Sequence, residues 1–200
     1  MTEPVRTAIL ISGRGSNMTA LIEAARQPDY AAKIVMVLTD RPDAAGLAIA
    51  REAAVLAELL DYSAFPGKKE FEAALHSRLV EAGVELVCLA GFMRILTAQF
   101  VEKWRGRILN IHPSLLPEFR GLHTHKRAIS SGKAEHGCTV HYVSAELDAG
   151  PIVAQARVPV FPDDDPASLA ARVLVEEHRI YPEALNIVAR QLKITGAPQL

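Results

Sequence analysis

The sequence predicts an α/β fold: a mostly parallel sheet covered by helices on both faces, with an antiparallel extension near the C-terminus. Three observations predict it. Short, continuous apolar runs recur through the first half, as in central parallel strands buried on both sides. They alternate with segments whose apolar residues repeat at helical spacing, and such β-α-β alternation implies parallel strands joined by right-handed crossovers. From residue 136 the rhythm changes to two strand-like runs joined by a turn, followed by one long helical run.

Residues 7–11 (TAILI) are the first strand. The loop Ser12-Gly13-Arg14-Gly15-Ser16-Asn17 ends it, and Met18, Leu21, Ile22 and Ala25 then recur at helical spacing. Strand, glycine loop and helix in that order leave backbone N–H groups free at a helix N-terminus, where the dipole favours an anion. Ser16 and Asn17 are candidate capping side chains. A phosphate cradle and an ordinary turn that needed glycine both fit this pattern. The loop has no GK[ST] and no third glycine, so it is neither a Walker loop nor a dinucleotide fingerprint, and a monophosphate fits it better than a dinucleotide.

Residues 33–39 form a second strand, 40–43 a turn, 44–54 an alanine-rich helix and 55–60 a third strand. After the loop 63–67, Phe71, Leu75, Leu79 and Val80 mark the apolar stripe of the next helix. Its opening lysines, Lys68 and Lys69, oppose the helix dipole. An anionic partner or plain solvated surface accounts for them, and for Lys69 the surface reading is preferred. Residues 86–90 form a fourth strand. The segment 91–96 (GFMRIL) is apolar for a loop; it either packs into the core or lines an apolar pocket, and core packing is the expectation from pattern alone. Thr97 caps a helix reaching about Trp104.

The fifth strand, 108–111, is stopped by Pro113, and Pro117 keeps the following segment out of helix. Runs 136–143 and 152–160 form a hairpin-like antiparallel pair about the turn 146–151. An acidic loop, 162–166, leads into a long helix from Ser168. That helix carries Leu169, Val173, Leu174, His178, Tyr181 and Leu185 on or near one face, with a kink expected at Pro182 and fraying over 196–200. The architecture is thus Rossmann-like, extended by an antiparallel C-terminal hairpin and a long C-terminal helix.

Composition narrows the function. The chain has 200 residues, half of them hydrophobic, ample for one domain over 1–200. A formal net charge of −1 with 22% charged residues offers no basic excess for nucleic acid. The only cysteines, Cys88 and Cys138, lie in apolar strand-like runs, without CxxC or a His/Cys ligand set, which argues against zinc and for a reducing compartment. The N-terminus lacks a signal-peptide pattern, and no apolar run approaches the ~20 residues that span a bilayer. The expectation is a cytoplasmic protein without nucleic-acid or membrane partners, a monomer or a homodimer.

The chemistry is expected at Asn110 and His112. Two residues apart on a strand, they face the same way and present an amide and an imidazole where the strand ends. An isolated N-x-H is more often a strand end meeting water. Five of the seven histidines fall at 112, 123, 125, 136 and 141, yet their spacing repeats no zinc signature, so hydrogen bonding and proton transfer are preferred over a metal. Asp148 lies in the turn before the last strand, beside Gly150, where an Asp usually bonds its own backbone but can also fold back over a strand end.

Taken together, the segments GSN (15–17), AGFMRIL (90–96), LNIHPSLLP (109–117), GLHTH (121–125), HGCTVH (136–141) and LDAGP (147–151) resemble the phosphoribosylglycinamide formyltransferases, folate-dependent enzymes of purine biosynthesis. The resemblance runs from about Ile9 to Tyr181. It implies that Asn110, His112 and Asp148 are catalytic, and that Gly15, Ser16, Asn17 and Glu177 hold glycinamide ribonucleotide. It implies a folate site of Lys68, Met93, Arg94, Ile95, Leu96, Asn110, Ser144, Ala145, Glu146, Leu147 and Asp148. The co-substrate would be 10-formyltetrahydrofolate, with no metal. Residues 1–105 would be a nucleotide-binding half and 106–200 a catalytic and folate-binding half. Two positions depart from the pattern. Lys68 stands where the family often has arginine, keeping charge but losing the planar fork. Leu174 stands where a polar residue can help hold the nucleotide.

In the implied reaction a primary amine attacks a formyl carbon and negative charge develops on oxygen, which calls for aimed donors. Asn110 would supply a neutral one and protonated His112 a charged one, with Asp148 favouring the cationic ring. No Ser or Cys nucleophile with an adjacent base is evident. Among rivals, methionyl-tRNA formyltransferase calls for a C-terminal tRNA-binding domain and a basic surface, and 10-formyltetrahydrofolate hydrolase for an N-terminal regulatory domain. A non-catalytic nucleotide-binding domain would leave the Asn110, His112 and Asp148 pattern unexplained. A dehydrogenase would need the third glycine and an acidic ribose residue.

Overall fold

A computed structural model describes residues 3–196. A seven-stranded sheet runs in the order β3-β2-β1-β4-β5-β6-β7. Strands β1 (Val5–Ile11), β2 (Ala32–Thr39), β3 (Leu56–Leu59), β4 (Leu86–Leu89) and β5 (Ile108–His112) are mutually parallel. Strands β6 (Glu135–Tyr142) and β7 (Ile152–Pro159) extend the sheet antiparallel. The parallel strands are apolar runs because both faces are covered. Along β1, Ala8 and Leu10 face one core with Phe71, Leu75, Leu79, Phe100 and Trp104, from α3 (Lys68–Glu81), α4 (Ala98–Lys103) and the residue after it. Ile9 and Ile11 face the other core, with Met18, Leu21 and Ile22 of α1 (Ser16–Ala24) and Tyr181, Leu185 and Val188 of α6 (Pro166–Thr195). α2 (Gly46–Glu52) and α5 (Thr124–Ser130) complete the α-helices of the described residues, and a 3-10 turn spans Tyr62–Ala64, overlapping the start of the expected loop 63–67.

The order matters for the site. After β3 the chain crosses to the far side of β1 to form β4, so the sheet's switch point lies between β1 and β4, and ligands of such sheets sit beyond the carboxyl ends of the strands there. The glycine loop leaves β1 at that edge. Leu10, Leu89 and Asn110 are at one level across β1, β4 and β5, so Asn110 and His112 are presented at the same edge. The buried Tyr181 hydroxyl, 3.0 Å from the Leu89 carbonyl and 3.2 Å from that of Leu109, ties α6 beneath these strand ends.

Several local expectations change. Val80 is exposed; the buried stripe of α3 is Phe71, Glu72, Leu75 and Leu79, because a 100° step per residue turns position 80 off the face that Leu79 occupies. Segment 91–96 is core only in part: Leu96 is buried and Phe92 packs partly against the core, while Met93 and Ile95 are 68% and 64% exposed. Neither Ser16 nor Asn17 caps α1. Its cap is Gly15, at φ 81°, where a Cβ would also come 2.9 Å from Met18 Cε and 3.0 Å from Gly46 Cα. α6 begins at Pro166, two residues before Ser168, because Asp165 and Ser168 form a reciprocal capping box and proline suits the first turn. The helix then continues through Pro182 to Thr195. Gly196 caps that end in the left-handed conformation, while the fraying expected over 197–200 falls outside the described residues. Among the described residues no helix is long and apolar enough to cross a membrane.

Candidate active site

Strand β5 supplies Asn110 and His112 on one face, and the β6–β7 connection supplies Asp148. That connection leaves the sheet beside Ile108, where Val143 N–H donates to the Ile108 carbonyl, and folds back along β5 as far as His112. Two features hold it there. Gly150 passes so close to β6 that an added Cβ would lie 1.8 Å from the Tyr142 carbonyl oxygen. Asp148, at φ 49°, turns its carboxylate away from its own backbone, so that Oδ2 accepts from Gly121 N–H at 2.9 Å and stands 3.4 Å from His112 Nδ1. Both His112 and Asp148 are buried, with side chains 8% exposed.

Hydrogen-bond chemistry assigns the rings. His112 Nε2 is 3.1 Å from the Phe119 carbonyl, to which it can only donate, and Nδ1 stands 3.4 Å from the Asp148 carboxylate. His141, directly opposite Asn110 across the β5/β6 ladder, behaves differently. Burial pushes its pKa down, and its Nδ1 donates to the Tyr142 carbonyl at 2.8 Å. Nε2 is then a bare acceptor, 3.2 Å from Asn110 Nδ2. A neutral His141 therefore orients the Asn110 amide, with one N–H on the ring and the second left to donate elsewhere. His141 was visible in the sequence as one of a cluster; its role depends on strand register, which residue spacing does not carry.

The nucleotide-side residues also meet. Asn17 Nδ2 donates to Glu177 Oε2 at 2.7 Å, linking the glycine loop to α6 across 160 positions of sequence. Burial raises the Glu177 pKa and the Asn17 bond opposes that shift. The loop is braced from behind, where Gly46 N–H donates to the Gly13 carbonyl at 3.0 Å.

Apart from Lys68 and Asn110, the residues expected to wall a folate fall into two loops. Met93 and Ile95 expose apolar side chains in one, Leu147 in the other. Glu146 pairs with Arg120 at 2.5 Å, and the Ser144 hydroxyl donates to the Glu146 carbonyl. Arg94 turns its guanidinium onto buried Asp40, 2.6 Å away. Lys68 is half-buried in the first turn of α3, one turn before Glu72 on the same helix face. Glu72 accepts from Thr97 N–H at 2.7 Å and from the Thr97 hydroxyl, fixing the end of the 91–96 loop. Asp40 and Glu72 carry no sequence signal of this role: one reads as a turn residue, the other as part of a helix. Among the described residues no group of three or more His, Cys, Asp or Glu side chains is placed to hold a metal.

The fold and this constellation define a doubly wound α/β protein with a paired amide and imidazole at its strand ends and a glycine loop at the adjacent switch point. The chain belongs to the formyl transferase family, which it matches over residues 5–185. It is 45% identical over 178 residues to phosphoribosylglycinamide formyltransferase of Escherichia coli, covering 89% of this chain and 84% of that protein. It is also 45% identical over 184 residues to the human trifunctional purine biosynthetic protein adenosine-3, spanning 92% of this chain but only 18% of that protein's length. The crystal structure of phosphoribosylglycinamide formyltransferase from Brucella melitensis superposes with a TM-score of 0.90 at 49% identity, covering 94% of this chain and 96% of that one. Glycinamide ribonucleotide transformylase 1 from Symbiobacterium toebii gives 0.92 at 45% identity, with 96% and 90% covered.

Proposed function

We propose that this chain transfers the formyl group of 10-formyltetrahydrofolate to the amine of 5-phosphoribosylglycinamide in purine biosynthesis. The observation that carries the reading is the convergence of Asn110, His112 and Asp148, from two separate segments, at the sheet edge that also bears the glycine loop. The exposed apolar side chains of Met93, Ile95 and Leu147 beside those buried polar groups suit a flat, partly apolar ligand such as a pterin. The similarity to the E. coli enzyme supports the same substrates.

In this reading the amides at the start of α1, with Ser16, hold the phosphate, and the linked Asn17 and Glu177 hold the ribose or glycinamide end. Lys68, Met93, Arg94, Ile95 and Leu96 form one wall for the folate, and Ser144, Ala145, Glu146 and Leu147 form the other. As the amine attacks, the free N–H of Asn110 and the Nδ1–H of His112 donate to the developing oxyanion. The 3.4 Å separation of Nδ1 from Asp148 leaves that proton free to bond the substrate oxygen; as the C–N10 bond breaks the proton passes to the departing folate nitrogen, and the proton shed by the attacking amine as it becomes the formamide returns to His112. Asp148 balances the imidazolium charge while the ring carries it. Residues 1–105 act chiefly on the nucleotide and 106–200 on the folate and the chemistry, in a cytoplasmic protein that is a monomer or homodimer without nucleic-acid or membrane partners.

One assay tests this. The purified chain is incubated with 10-formyltetrahydrofolate, with and without glycinamide ribonucleotide, and tetrahydrofolate release is followed. Release that depends on the nucleotide is expected. Release without it identifies a 10-formyltetrahydrofolate hydrolase, and no release in either arm a non-catalytic nucleotide binder.

A further inference from the structure

Asp40 stands at the end of β2 with its side chain fully buried, and both carboxylate oxygens are used. Oδ1 accepts from the Ser12 hydroxyl at 2.5 Å, at the end of β1. Oδ2 accepts from Arg94 Nε at 2.6 Å, beyond the end of β4. Ser12 Oγ in turn accepts from Met93 N–H at 2.9 Å, and Ser12 N–H donates to the Gly91 carbonyl at 3.1 Å. The Arg94 guanidinium lies 3.9 Å over the Tyr62 ring, and Tyr62 N–H donates back to the Asp40 carbonyl at 3.1 Å. One carboxylate thus ties together the ends of three neighbouring strands, β2, β1 and β4, across the switch point.

A buried carboxylate is costly unless paired and hydrogen-bonded, so its placement calls for a return. The 91–96 loop supplies the reason. Its side chains at 93 and 95 are exposed, so apolar burial does not order that middle stretch; Phe92 packs partly against the core before it and Leu96 anchors its end. The polar ties at Met93 and Arg94 hold the middle, as Glu72 holds Thr97 at the end.

We infer that Asp40 is a positioning residue: through Arg94 and Ser12 it pre-shapes the 91–96 loop as the folate-facing wall, so that it governs folate affinity rather than the chemical step. The inference rests on the folate reading of that loop. Asp40→Asn separates the two arms. Its carbonyl oxygen can still accept from Ser12, but its NH2 opposes the Arg94 guanidinium, donor against donor.

The test is calorimetric titration with tetrahydrofolate, alongside steady-state kinetics and thermal unfolding. For Asp40→Asn the tetrahydrofolate Kd and the KM for 10-formyltetrahydrofolate are expected to rise about tenfold or more, with kcat and the nucleotide KM within about threefold. In a double-mutant cycle with Arg94→Met, the two effects on Kd are expected to be strongly non-additive. If Asp40→Asn does not fold, Ser12→Ala, which releases Met93 N–H, carries the test with an expected rise of a few-fold in folate Kd. A folded Asp40→Asn, or in its stead a folded Ser12→Ala, with unchanged folate Kd overturns the inference. So does a rise in nucleotide Kd alone, or additive effects in the cycle. If the unsubstituted chain does not bind tetrahydrofolate, the folate reading itself fails, and this inference with it.

Discussion

The two sides of the site are built in opposite ways. Toward the antiparallel end, Asn110, His112 and His141 sit on β5 and β6, locked by ladder bonds and by one another, and Asp148 is pressed onto them by a connection that Gly150 lets pass against Tyr142. Toward the parallel end, the 91–96 wall proposed for folate and the glycine loop proposed for nucleotide lie beyond the strand ends, held by the buried carboxylates Asp40, Glu72 and Glu177. Sub-ångström placement belongs on rigid elements, while an adaptable wall can be hung from a few polar ties. The difference implies a division of effect: changes on the strand side should appear in kcat, and changes on the loop side in KM.

The largest effects should come from the strand side. Asn110→Ala and Asp148→Ala are each expected to lose roughly 10²–10³ in kcat while staying folded, as for removal of one oxyanion donor or its charge partner; steady-state turnover together with circular dichroism checks both. Gly150→Ala places a Cβ against the Tyr142 carbonyl and must shift the segment bearing Asp148. A kcat loss of about 10–10²-fold is expected, since a misplacement near 1 Å can cost that much, with a lowered melting temperature. A kcat like that of the unsubstituted chain would show that the connection tolerates displacement.

On the loop side Thr97→Ala removes the cap of α4 and the hydroxyl that reaches Glu72. About 1 kcal/mol of stability should be lost and the folate KM should rise a few-fold, with kcat nearly unchanged. A kcat loss larger than the KM change would erase the division between strand side and loop side.

The smallest effect concerns His136, buried behind the site with its ring edge-on to Phe119 and His125. Burial lowers its pKa from 6.5 to about 4. The unfolded chain therefore binds a proton between those values and the folded chain does not, so stability present above pH 6.5 is lost as pH falls toward 4, by at most about 3 kcal/mol from this group. His136→Gln should narrow the gap in melting temperature between pH 7.5 and 4.5. An unchanged gap would mean that the ring titrates alike in both states.

Much of this was legible in the sequence, and the exceptions share a cause. Continuous apolar runs such as TAILI mark the parallel strands, and N-x-H at the end of one of them puts two polar groups on one face. Local pattern is enough for both. His141 needed the β5/β6 register, which is set only after the chain has passed through residues 113–134. Asp40 needed the ends of β1 and β4 to be neighbours, and Glu72 needed α3 to lie beside the 91–96 loop. Met93 and Ile95 carry a core-like composition on an exposed loop, a conflict of pattern and place that fits the folate wall proposed for them.

The most direct test of the account is His112→Ala, purified and assayed with both substrates saturating. The prediction is a kcat lower by at least about 10²-fold, with tetrahydrofolate still bound within about threefold of the unsubstituted affinity. Turnover close to that of the unsubstituted chain would contradict it.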